Sequence, residues 1–376
     1  MICPIVKLTQ KLISCPSVSP DDFGCQKILM RKLLKLGFTI RKINIKDTKN
    51  FWAYKGFGDI FTFLGHTDVV PAGNINLWKY PPFQGFIKDN IIYGRGSADM
   101  KGALSAMVIA IERFLLLFPD HKGVLSFLVT SDEESKGTNG IEKVVKKLLL
   151  NNEKIKYCLV GEPTSCNRIG DIIKNGRRGS LNVKIILYGI QGHIAYPDLL
   201  HNPIHSSLPF LHDLISIQWD KGNDFFDPTS LQISSLKVDN ESTNVTSGKL
   251  EVFFNLRFNN EITIEGIKNR IFSLLNFHKL RYFVEWNCSG KPFLTKSGKL
   301  LDKTINSIYK IKKKYPKLST SGGTSDGRFV SQYMGSQVVE LGLKNINIHK
   351  INENIKISDL QCLSKIYETI LIEMLT

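Results

Sequence analysis

The stretch VLSFLVTSDEESKG (residues 124–137) begins as a run of apolar residues and ends in three consecutive carboxylates, Asp132, Glu133 and Glu134. A short continuous apolar run bounded by polar residues is typical of a strand that is buried on both faces of a sheet. Similar runs, IFTFLG and YCLV, lie on either side of this stretch, and segments of helical spacing separate them. The pattern predicts an α/β domain with a central, mostly parallel sheet flanked by helices.

The helices of this domain are indicated by apolar residues that recur at helical spacing. Residues 25–36 show this spacing, and Gly37 is well placed to end the helix because glycine readily adopts the left-handed conformation found at helix C-termini. Further helices are predicted near residues 100–117 and 140–150. Residues 292–376 return to the same alternation of helix and strand, so we expect them to complete the first sheet.

Residues 179–291 have a different pattern. The segments SLNVKIILYG, SLQISSLKVD, KLEVFFNLRF and RYFVEWN are typical of strands, and two segments between them have helical spacing. Their order, βαββαβ, predicts a ferredoxin-like α+β module inserted in the larger domain. We therefore predict a first domain formed by residues 1–178 and 292–376, with residues 179–291 as the insertion.

The charge of the chain is strongly positive. Of 376 residues, 50 are Lys or Arg and 34 are Asp or Glu, which gives a net charge of +16. The excess is dispersed through stretches rich in Lys, Ile and Asn, such as KINIKDTKN, and is not gathered into a patch interleaved with aromatic residues. Because a nucleic-acid-binding surface concentrates its cations on one face, we expect no nucleic-acid partner.

Other bulk features are those of an ordinary soluble protein. No apolar run reaches the roughly 18 residues that a membrane span requires. The first residues, MICPIVKLTQ, lack the sections of a secretory signal peptide. The seven cysteines form no C-x-x-C pair, so neither a disulfide framework nor a thiolate zinc site is expected. These features predict a cytoplasmic protein with reduced cysteines and no membrane partner.

Polar side chains follow the predicted strands at the points where the strands end, and one more precedes a helix. Because the carboxyl ends of parallel strands meet at the same edge of an open α/β sheet, we expect these side chains to converge there. The residues at these positions are His66, Asp68, Asp99, Glu133, Glu134 and Glu162.

A single carboxylate after a strand is most often a helix cap or a solvated loop residue. Several carboxylates in one crevice, however, repel each other and raise their own pKa values unless a cation neutralises them. Imidazole and carboxylate without thiolate suit zinc or a similar divalent metal. A single catalytic zinc takes about three protein ligands. The larger set therefore predicts two metal ions, roughly 3.5 to 4 Å apart and bridged by a carboxylate.

The adjacent Glu133 and Glu134 can have different roles in such a site. One can bind metal while its neighbour accepts a proton from the water that attacks the substrate. Asp68 stands two residues after His66, where its carboxylate can accept a hydrogen bond from the ring nitrogen that does not face the metal. The alternative for Asp68 is an ordinary turn carboxylate.

The motifs around these residues resemble a known superfamily. LGHTDVVPAG, WKYPPFQG, YGRGSADMKG, TSDEE and VGEPTS are similar, in order and spacing, to motifs of the M20-type co-catalytic metallopeptidases and amidohydrolases. The resemblance extends over nearly the whole chain. It implies a catalytic domain with an inserted lid and dimerisation domain, a homodimer, a small-molecule substrate, and two divalent metal ions per subunit, zinc or else cobalt.

The resemblance also implies a set of metal ligands. His66 and Glu162 would bind one metal ion, and Glu134 and His349 would bind the other. Asp99 would bridge the two ions.

Two further residues would act in catalysis by the same resemblance. Glu133 would be the general acid and base, and Asp68 would orient His66. The superfamily pattern also implies a strained, often cis, peptide bond between Asp99 and Met100.

Other motifs, NGRRGSL, QGHIAYP, NPIH, SGGTSDGRF and VVELGLKNINIHKINE, are similar to those of the succinyl-diaminopimelate desuccinylase family within this superfamily. A substrate of this kind carries several carboxylates, which the planar fork of an arginine binds well, and Arg178 is an alternative to Arg177 for this purpose. His193 would reach the active site of the other subunit. The implied substrate contacts are Arg177, His193, Tyr196, Asn244, Arg257, Gly323, Thr324 and Asn345.

Two alternatives stay open on the sequence. Another N-acyl amino acid amidohydrolase of the superfamily, such as acetylornithine deacetylase, would share the metals and the mechanism. A non-catalytic binding or regulatory protein would keep the scaffold but tends to lose ligands or the base. All seven metal and proton-transfer positions are present in this chain, which favours an enzyme.

Overall fold

The computed structural model describes residues 3–135, 137–240 and 242–376. These residues form two compact units. The first unit contains the chain up to Gly176 together with Leu294–Ser319 and Ser325–Thr376, and the second contains Arg177–Phe293 and Thr320–Thr324.

The strands are numbered in chain order. They are β1 (Thr39–Lys42), β2 (Asn50–Phe57), β3 (Ile60–His66), β4 (Phe86–Lys88), β5 (Ile91–Tyr93), β6 (Gly123–Thr130), β7 (Ile155–Val160), β8 (Ile172–Lys174), β9 (Gly176–Arg177), β10 (Gly179–Tyr188), β11 (Gly192–His193), β12 (Ser230–Val238), β13 (Val245–Thr246), β14 (Lys249–Phe258), β15 (Arg281–Gly290), β16 (Phe293–Leu294), β17 (Lys317–Ser319), β18 (Gln337–Glu340) and β19 (Asn354–Lys356).

The α-helices are numbered in the same way. They are α1 (Pro4–Ile13), α2 (Cys25–Lys35), α3 (Gly102–Leu117), α4 (Ile141–Leu150), α5 (Pro203–Ser216), α6 (Ile264–Phe277), α7 (Lys299–Lys312), α8 (Gly327–Met334) and α9 (Ile357–Leu375). As expected, Gly37 follows α2 with a φ of 82°, a left-handed value that suits glycine.

The large sheet of the first unit has the strand order β1-β2-β6-β3-β7-β18-β8-β17. Strand β3 pairs in parallel with β6 and β7, β18 pairs in parallel with β7, and β17 with β8. The pairs β1–β2, β2–β6 and β18–β8 are antiparallel, so the sheet is mixed. The α/β prediction is confirmed, and β17 and β18 of this sheet come from the C-terminal part of the chain.

The apolar runs of β3 and β6 become strands because helices cover them. Phe63 of β3 packs against Tyr367 of α9, with ring centroids 5.3 Å apart. Phe61, Phe63, Phe127 and Tyr367 are all fully buried. Each such side chain stabilises the fold by about 1.5 to 3 kcal/mol relative to exposure. This packing fixes the strand ends that lead into the polar loops.

The second unit contains an antiparallel sheet with the order β12-β14-β10-β15. Along the chain, α5 lies between β10 and β12, and α6 lies between β14 and β15, which is the predicted βαββαβ order. Strand β14 alternates strictly between buried and partly exposed residues, as a sheet with one covered face requires. Its buried residues join a core with Phe210 of α5 and Ile271 of α6.

Two further expectations concern the whole chain. All seven cysteines lie in the described residues, and none of them forms a disulfide bond there. In the ranges that the structure describes, no helix has both the length and the apolar character to cross a membrane.

Candidate active site

The centre of the large sheet brings the predicted polar residues to one edge. Strands β6, β3 and β7 are neighbours and run in parallel, so their carboxyl ends lie side by side. His66 is the last residue of β3, Glu134 lies in the loop after β6, and Glu162 lies just after β7. Asp99 lies in the segment Ser97–Lys101 before α3, at a kink where its own backbone is not helical. Sequence patterns alone predicted this convergence.

Asp99 stands between two imidazole rings. His66 Nε2 lies 3.2 Å from Asp99 Oδ1 and 3.7 Å from Glu162 Oε1. His349 Nε2 lies 3.3 Å from Asp99 Oδ2 and 3.0 Å from Glu134 Oε1. The two oxygens of Asp99 thus face different imidazoles, and the five residues form two groups that share one carboxylate.

Glycines make room for the segment that carries Asp99. The peptide bond between Asp99 and Met100 is cis, in agreement with the resemblance. A Cβ atom on Gly65 or on Gly161 would lie 2.5 Å from the Met100 side chain. The glycines at the ends of β3 and β7 therefore allow Met100 to pack beneath the site.

The three consecutive carboxylates have different surroundings. The Asp132 carboxylate is buried and accepts hydrogen bonds from Thr48, Ser135 and the Asn139 N–H, so it holds its own loop. Glu134 faces His349. Within the described part of the chain, the half-buried Glu133 carboxylate accepts no hydrogen bond.

Asp68 differs in detail from the expectation. The nearest acceptor for His66 Nδ1 is the main-chain oxygen of Asp68 at 2.9 Å, and the carboxylate Oδ1 lies 3.6 Å away. The Asp68 carboxylate instead accepts the main-chain N–H groups of Glu133, at 3.3 Å, and Glu134, at 3.0 Å. The sequence suggested only the contact with His66. Asp68 therefore ties the β3 loop to the β6 loop as well as facing the ring.

The pKa values of the acidic residues reflect crowding in a buried site. Burial raises the pKa of Glu133 and of Glu162 well above the ordinary value, and neighbouring carboxylates add to both shifts. Burial also acts to raise the pKa of Asp99, but hydrogen bonds from His349 and His66 outweigh it and hold this pKa well below its usual range.

The imidazoles respond in the opposite sense. Burial lowers the pKa of His66, but the carboxylates of Asp68 and Asp99 outweigh it and raise this pKa well above its ordinary value. Hydrogen bonds with Asp99 and Glu134 raise the pKa of His349 to about 10. So much mutually stabilised charge in one place is the pattern that a cation site produces.

Three residues near the site were missed by the sequence reasoning. Burial raises the pKa of Asp326 to about 6, and its Oδ2 atom has no hydrogen-bond partner among the described residues. Arg95 and Glu353 form a buried ion pair close to Asp99. All three lie inside quoted motifs, SGGTSDGRF, YGRGSADMKG and HKINE, but nothing in the local pattern marks them as buried.

The predicted substrate contacts lie mainly in the second unit. The short ribbon β11–β13 pairs His193 with Val245 and brings His193, Tyr196 and Asn244 together on exposed loops. The rings of His193 and Tyr196 lie 5.7 Å apart, and the Ile194 N–H donates to the Asn244 main-chain oxygen.

The arginines considered for the substrate, Arg177, Arg178 and Arg257, fall into two kinds. Arg177 is buried and donates from Nη1 to the Ser321 main-chain oxygen at 3.0 Å. Burial lowers the pKa of Arg257, and the nearby guanidinium of Arg178 lowers it further. Among the described residues neither Arg178 nor Arg257 has a carboxylate partner. Two adjacent, uncompensated guanidiniums suit an anionic ligand.

The remaining predicted contacts lie in two loops. In the second unit, Gly323 is exposed, and a Cβ on it would meet nothing within 4 Å. Thr324 Oγ1 is buried without a hydrogen-bond partner in the described ranges. In the first unit, the Asn345 N–H donates to the Ser165 main-chain oxygen. The roles of all eight residues stay predictions.

Comparison with known proteins identifies the class. Residues 62–373 match the model of peptidase family M20/M25/M40. The fold is similar to that of an M20 family metallo-carboxypeptidase from Sulfolobus solfataricus, with a TM-score of 0.80 and 19% identity over 98% of this chain and 99% of that chain. Aminopeptidase PepT from Bacillus cereus is similar too, with a TM-score of 0.78 and 20% identity over 98% of each chain.

A third similar structure is the YXEP protein of Bacillus subtilis, described as a dinuclear metal binding peptidase from the M20 family. Its TM-score is 0.73 and its identity 13%, over 98% of this chain and 97% of that chain. At these identities the structures show a common fold. The family model covers most of the chain, so the chain belongs to peptidase family M20/M25/M40 and is a hydrolase that acts on amide or peptide bonds.

Proposed function

We propose that this enzyme hydrolyses the amide bond of N-succinyl-LL-2,6-diaminopimelate in the cytoplasm, giving succinate and LL-2,6-diaminopimelate for lysine and cell-wall precursor biosynthesis. Two clusters of imidazole and carboxylate groups share Asp99, and this observation carries the catalytic part of the proposal. The Glu133 carboxylate lies beside them, near His66 and Glu134, and accepts no hydrogen bond from a described residue. The choice of substrate is supported by the desuccinylase-like motifs and by the cations of the second unit.

Two divalent metal ions fit the donor set. Each imidazole directs Nε2 at carboxylate oxygens, which is the arrangement of ligands around a shared cation. We assign His66 and Glu162 to one ion and Glu134 and His349 to the other, with Asp99 common to both. The absence of thiolates from this set favours zinc, with cobalt as a substitute. When bound, the ions would polarise the amide carbonyl and lower the pKa of a water molecule.

Glu133 is the proton carrier in this proposal. Its carboxylate takes a proton as water adds to the amide carbon, and it then delivers that proton to the leaving nitrogen as the C–N bond breaks. Burial raises its pKa above the ordinary value of a glutamate, which makes the carboxylate a better proton acceptor than an exposed one. Asp68 holds the Glu133 and Glu134 amides and so fixes the direction of this loop.

The carboxylates of the substrate need cations. We assign this role to Arg257 with Arg178, since these two guanidiniums are adjacent and have no carboxylate partner among the described residues. Arg177 is committed to the Ser321 oxygen and would support the loop that contains Gly323 and Thr324. An arginine fork also distinguishes a terminal carboxylate, as in a succinyl group, from the methyl of an acetyl group.

A homodimer completes the proposal. Helix α5 buries Phe210 and Leu214 but leaves Ile204, Leu208 and Ile215 exposed. These three residues recur at helical spacing, so they form an apolar stripe on the outer face of the helix. An exposed apolar stripe suits a second copy of this chain, and His193 would then act in the active site of the other subunit.

The direct test compares substrates on the zinc-loaded enzyme. We expect kcat/KM for N-succinyl-LL-2,6-diaminopimelate to exceed that for N-acetylornithine and for simple dipeptides by at least about a hundredfold, a ratio that a lost carboxylate contact supports. A preference for N-acetylornithine or for a dipeptide would refute the choice of substrate. Metal analysis finding less than one ion per chain after zinc addition would refute the metal site itself.

A further inference from the structure

Two ligand-bearing segments of the site leave one small sheet side by side. Strand β19 pairs antiparallel with β5, and β5 pairs with β4. The chain that leaves β5 leads to Asp99, and the chain that enters β19 comes from His349. Because β5 and β19 are antiparallel neighbours, both segments lie at the same end of the sheet, where the Gly94 N–H donates to the Glu353 main-chain oxygen.

The Glu353 side chain binds the backbone of the Asp99 segment. Its Oε1 atom accepts the main-chain N–H groups of Ala98, at 2.8 Å, and Asp99, at 3.1 Å. Its Oε2 atom accepts the Gly96 N–H at 3.0 Å and Arg95 Nη1 at 2.8 Å. Four donors therefore converge on one fully buried carboxylate. A side chain from the residue just before β19 thus holds the Asp99 backbone in place.

Arg95 binds the backbone of the His349 segment in return. Its Nη2 atom donates to the His349 main-chain oxygen at 3.4 Å and to the Pro71 oxygen at 3.2 Å. Its Nη1 atom donates to the Lys350 oxygen at 3.2 Å as well as to Glu353. The Arg95 guanidinium also lies over the Trp78 ring, with its carbon 5.3 Å from the ring centre.

The contacts cross over. Glu353, from the segment that follows His349, binds the Asp99 backbone, whereas Arg95, from the segment that precedes Asp99, binds the His349 backbone. The ion pair joins the two crossed contacts, and both side chains are almost completely buried. Neither segment can then move without breaking hydrogen bonds that no water replaces.

We propose that the Arg95–Glu353 pair is a clamp that positions Asp99 and His349 for a shared cation before the cation binds. Both are positioning residues, since neither belongs to the groups of candidate ligands. This inference rests on the proposed metal-dependent function. A pair that served only the general stability of the fold would need no contacts with both ligand segments.

The test is the substitution Glu353→Gln, which keeps the size of the side chain but replaces one acceptor oxygen by an NH2 donor. Whichever way the amide is turned, it directs a donor at N–H groups. The matched control is Glu368→Gln, which removes the acceptor of Arg113 Nε in another ion pair of the first unit, away from the ligand segments. Zinc affinity is measured by competition with a chromophoric chelator at a temperature where both variants are folded by circular dichroism.

We expect Glu353→Gln to weaken zinc binding by about 10- to 100-fold, the usual effect of losing an outer partner of a metal ligand, and Glu368→Gln to leave it unchanged. Zinc affinity of Glu353→Gln within twofold of the wild type would overturn the clamp. If Glu353→Gln does not fold, Arg95→Lys replaces it. Lysine keeps the charge beside Glu353, but its three N–H donors on one nitrogen cannot serve the three main-chain oxygens and Glu353 together, so the same loss is expected.

A measurement on the unaltered protein separates the clamp from the proposed function. In the metal-free wild type, the amides of Gly96, Ala98 and Asp99 should exchange hydrogen at least about 100-fold more slowly than the exposed loop at Gly73, because they are held before metal binds. Exchange as fast as at Gly73 would overturn the clamp even if zinc binds. Conversely, slow exchange in a chain that binds no zinc would refute the proposed function alone.

Discussion

The polar cluster of the first unit and the β11–β13 ribbon of the second unit each contain predicted site residues, and they differ in how these residues are held. In the cluster, His66 is only 1% exposed and Asp99 only 6%. On the ribbon, Tyr196 is 63% exposed, and His193 and Asn244 are exposed too. Ionisable side chains are buried where chemistry is expected, whereas the polar side chains expected to recognise substrate are exposed to solvent.

The difference has a physical cause. A buried charge must be paired and hydrogen-bonded, so the cluster requires that its loops be fixed together by Asp68, Glu353 and Arg95. An exposed imidazole has no such requirement and needs only a local contact, such as the Ala195 N–H that donates to His193 Nδ1. We infer that the cluster is organised in a single chain, whereas the ribbon acts only when substrate and a second subunit are present.

The largest expected effect falls on the two adjacent glutamates of the cluster. Glu133→Ala should lower kcat by about 10²- to 10⁴-fold, the usual contribution of a general base, while metal content stays near that of the wild type. Glu134→Ala should lose metal, since Glu134 faces His349 and Glu133 does not. Equal metal loss in both variants, measured by elemental analysis, would contradict the division of roles.

The ribbon is tested by mixing subunits. His193→Ala should lower kcat/KM by about 10²- to 10³-fold, as the loss of an oxyanion donor does. If His193 acts in the other subunit, random reassociation of His193→Ala with Glu133→Ala chains should restore about a quarter of wild-type activity, since half of the dimers are mixed and each has one intact site. No recovery after verified subunit exchange would show that His193 does not act across subunits.

A smaller effect is expected from the arginines of the second unit. Arg257→Ala and Arg178→Ala should each raise KM for the succinylated substrate by about 10- to 100-fold with a smaller change in kcat, because they bind carboxylates that do not react. Hydrolysis of a substrate without those carboxylates is the control and should change little. A fall in kcat at unchanged KM would mean that these residues serve the chemistry and not recognition.

Metal removal should show how much the buried cluster depends on cations. Zinc at about 100 times its dissociation constant should stabilise the folded enzyme by roughly 2.7 kcal/mol, a rise of several degrees in Tm. Glu134→Ala is the control and should respond weakly. Equal thermal shifts in both proteins, measured by calorimetry over a zinc titration, would place the stabilising ion elsewhere.

The smallest effect is on the pH dependence of the metal-free protein. The pKa values of Glu133 and Glu162 are raised, and that of His349 is raised to about 10. In each case the folded state binds protons more tightly than the unfolded state. The linked stability is complete below the unfolded pKa and is lost as pH rises through the folded pKa. Tm of the metal-free protein should therefore fall from about pH 5 towards pH 10, and saturating zinc should flatten the slope.

Much of the fold was predictable because apolar runs and polar loops alternate sharply. Residues 124–130 form β6 together with Gly123, and YCLV forms the end of β7. The convergence of His66 and Glu162 followed from the parallel strands alone. The βαββαβ order of the second unit was equally predictable. The strict alternation of buried and partly exposed residues along β14 defines which face of this strand is covered.

The rest required contacts that no local pattern shows. The loop after β6 offers three similar carboxylates, and only the structure shows that Asp132 turns to Thr48 and Asn139. His349 was found by resemblance, because no predicted strand leads directly to it. Arg95 and Glu353 come from distant parts of the chain. Only the pairing of β5 with β19 brings them together, and neither residue stands out in its local sequence.

The most direct test of the account is anomalous diffraction from crystals of the zinc-loaded enzyme. We predict two zinc peaks per chain, one among His66, Asp99 and Glu162 and the other among Asp99, Glu134 and His349. A single peak, or peaks away from Asp99, would contradict the claim that this carboxylate is shared by two ions.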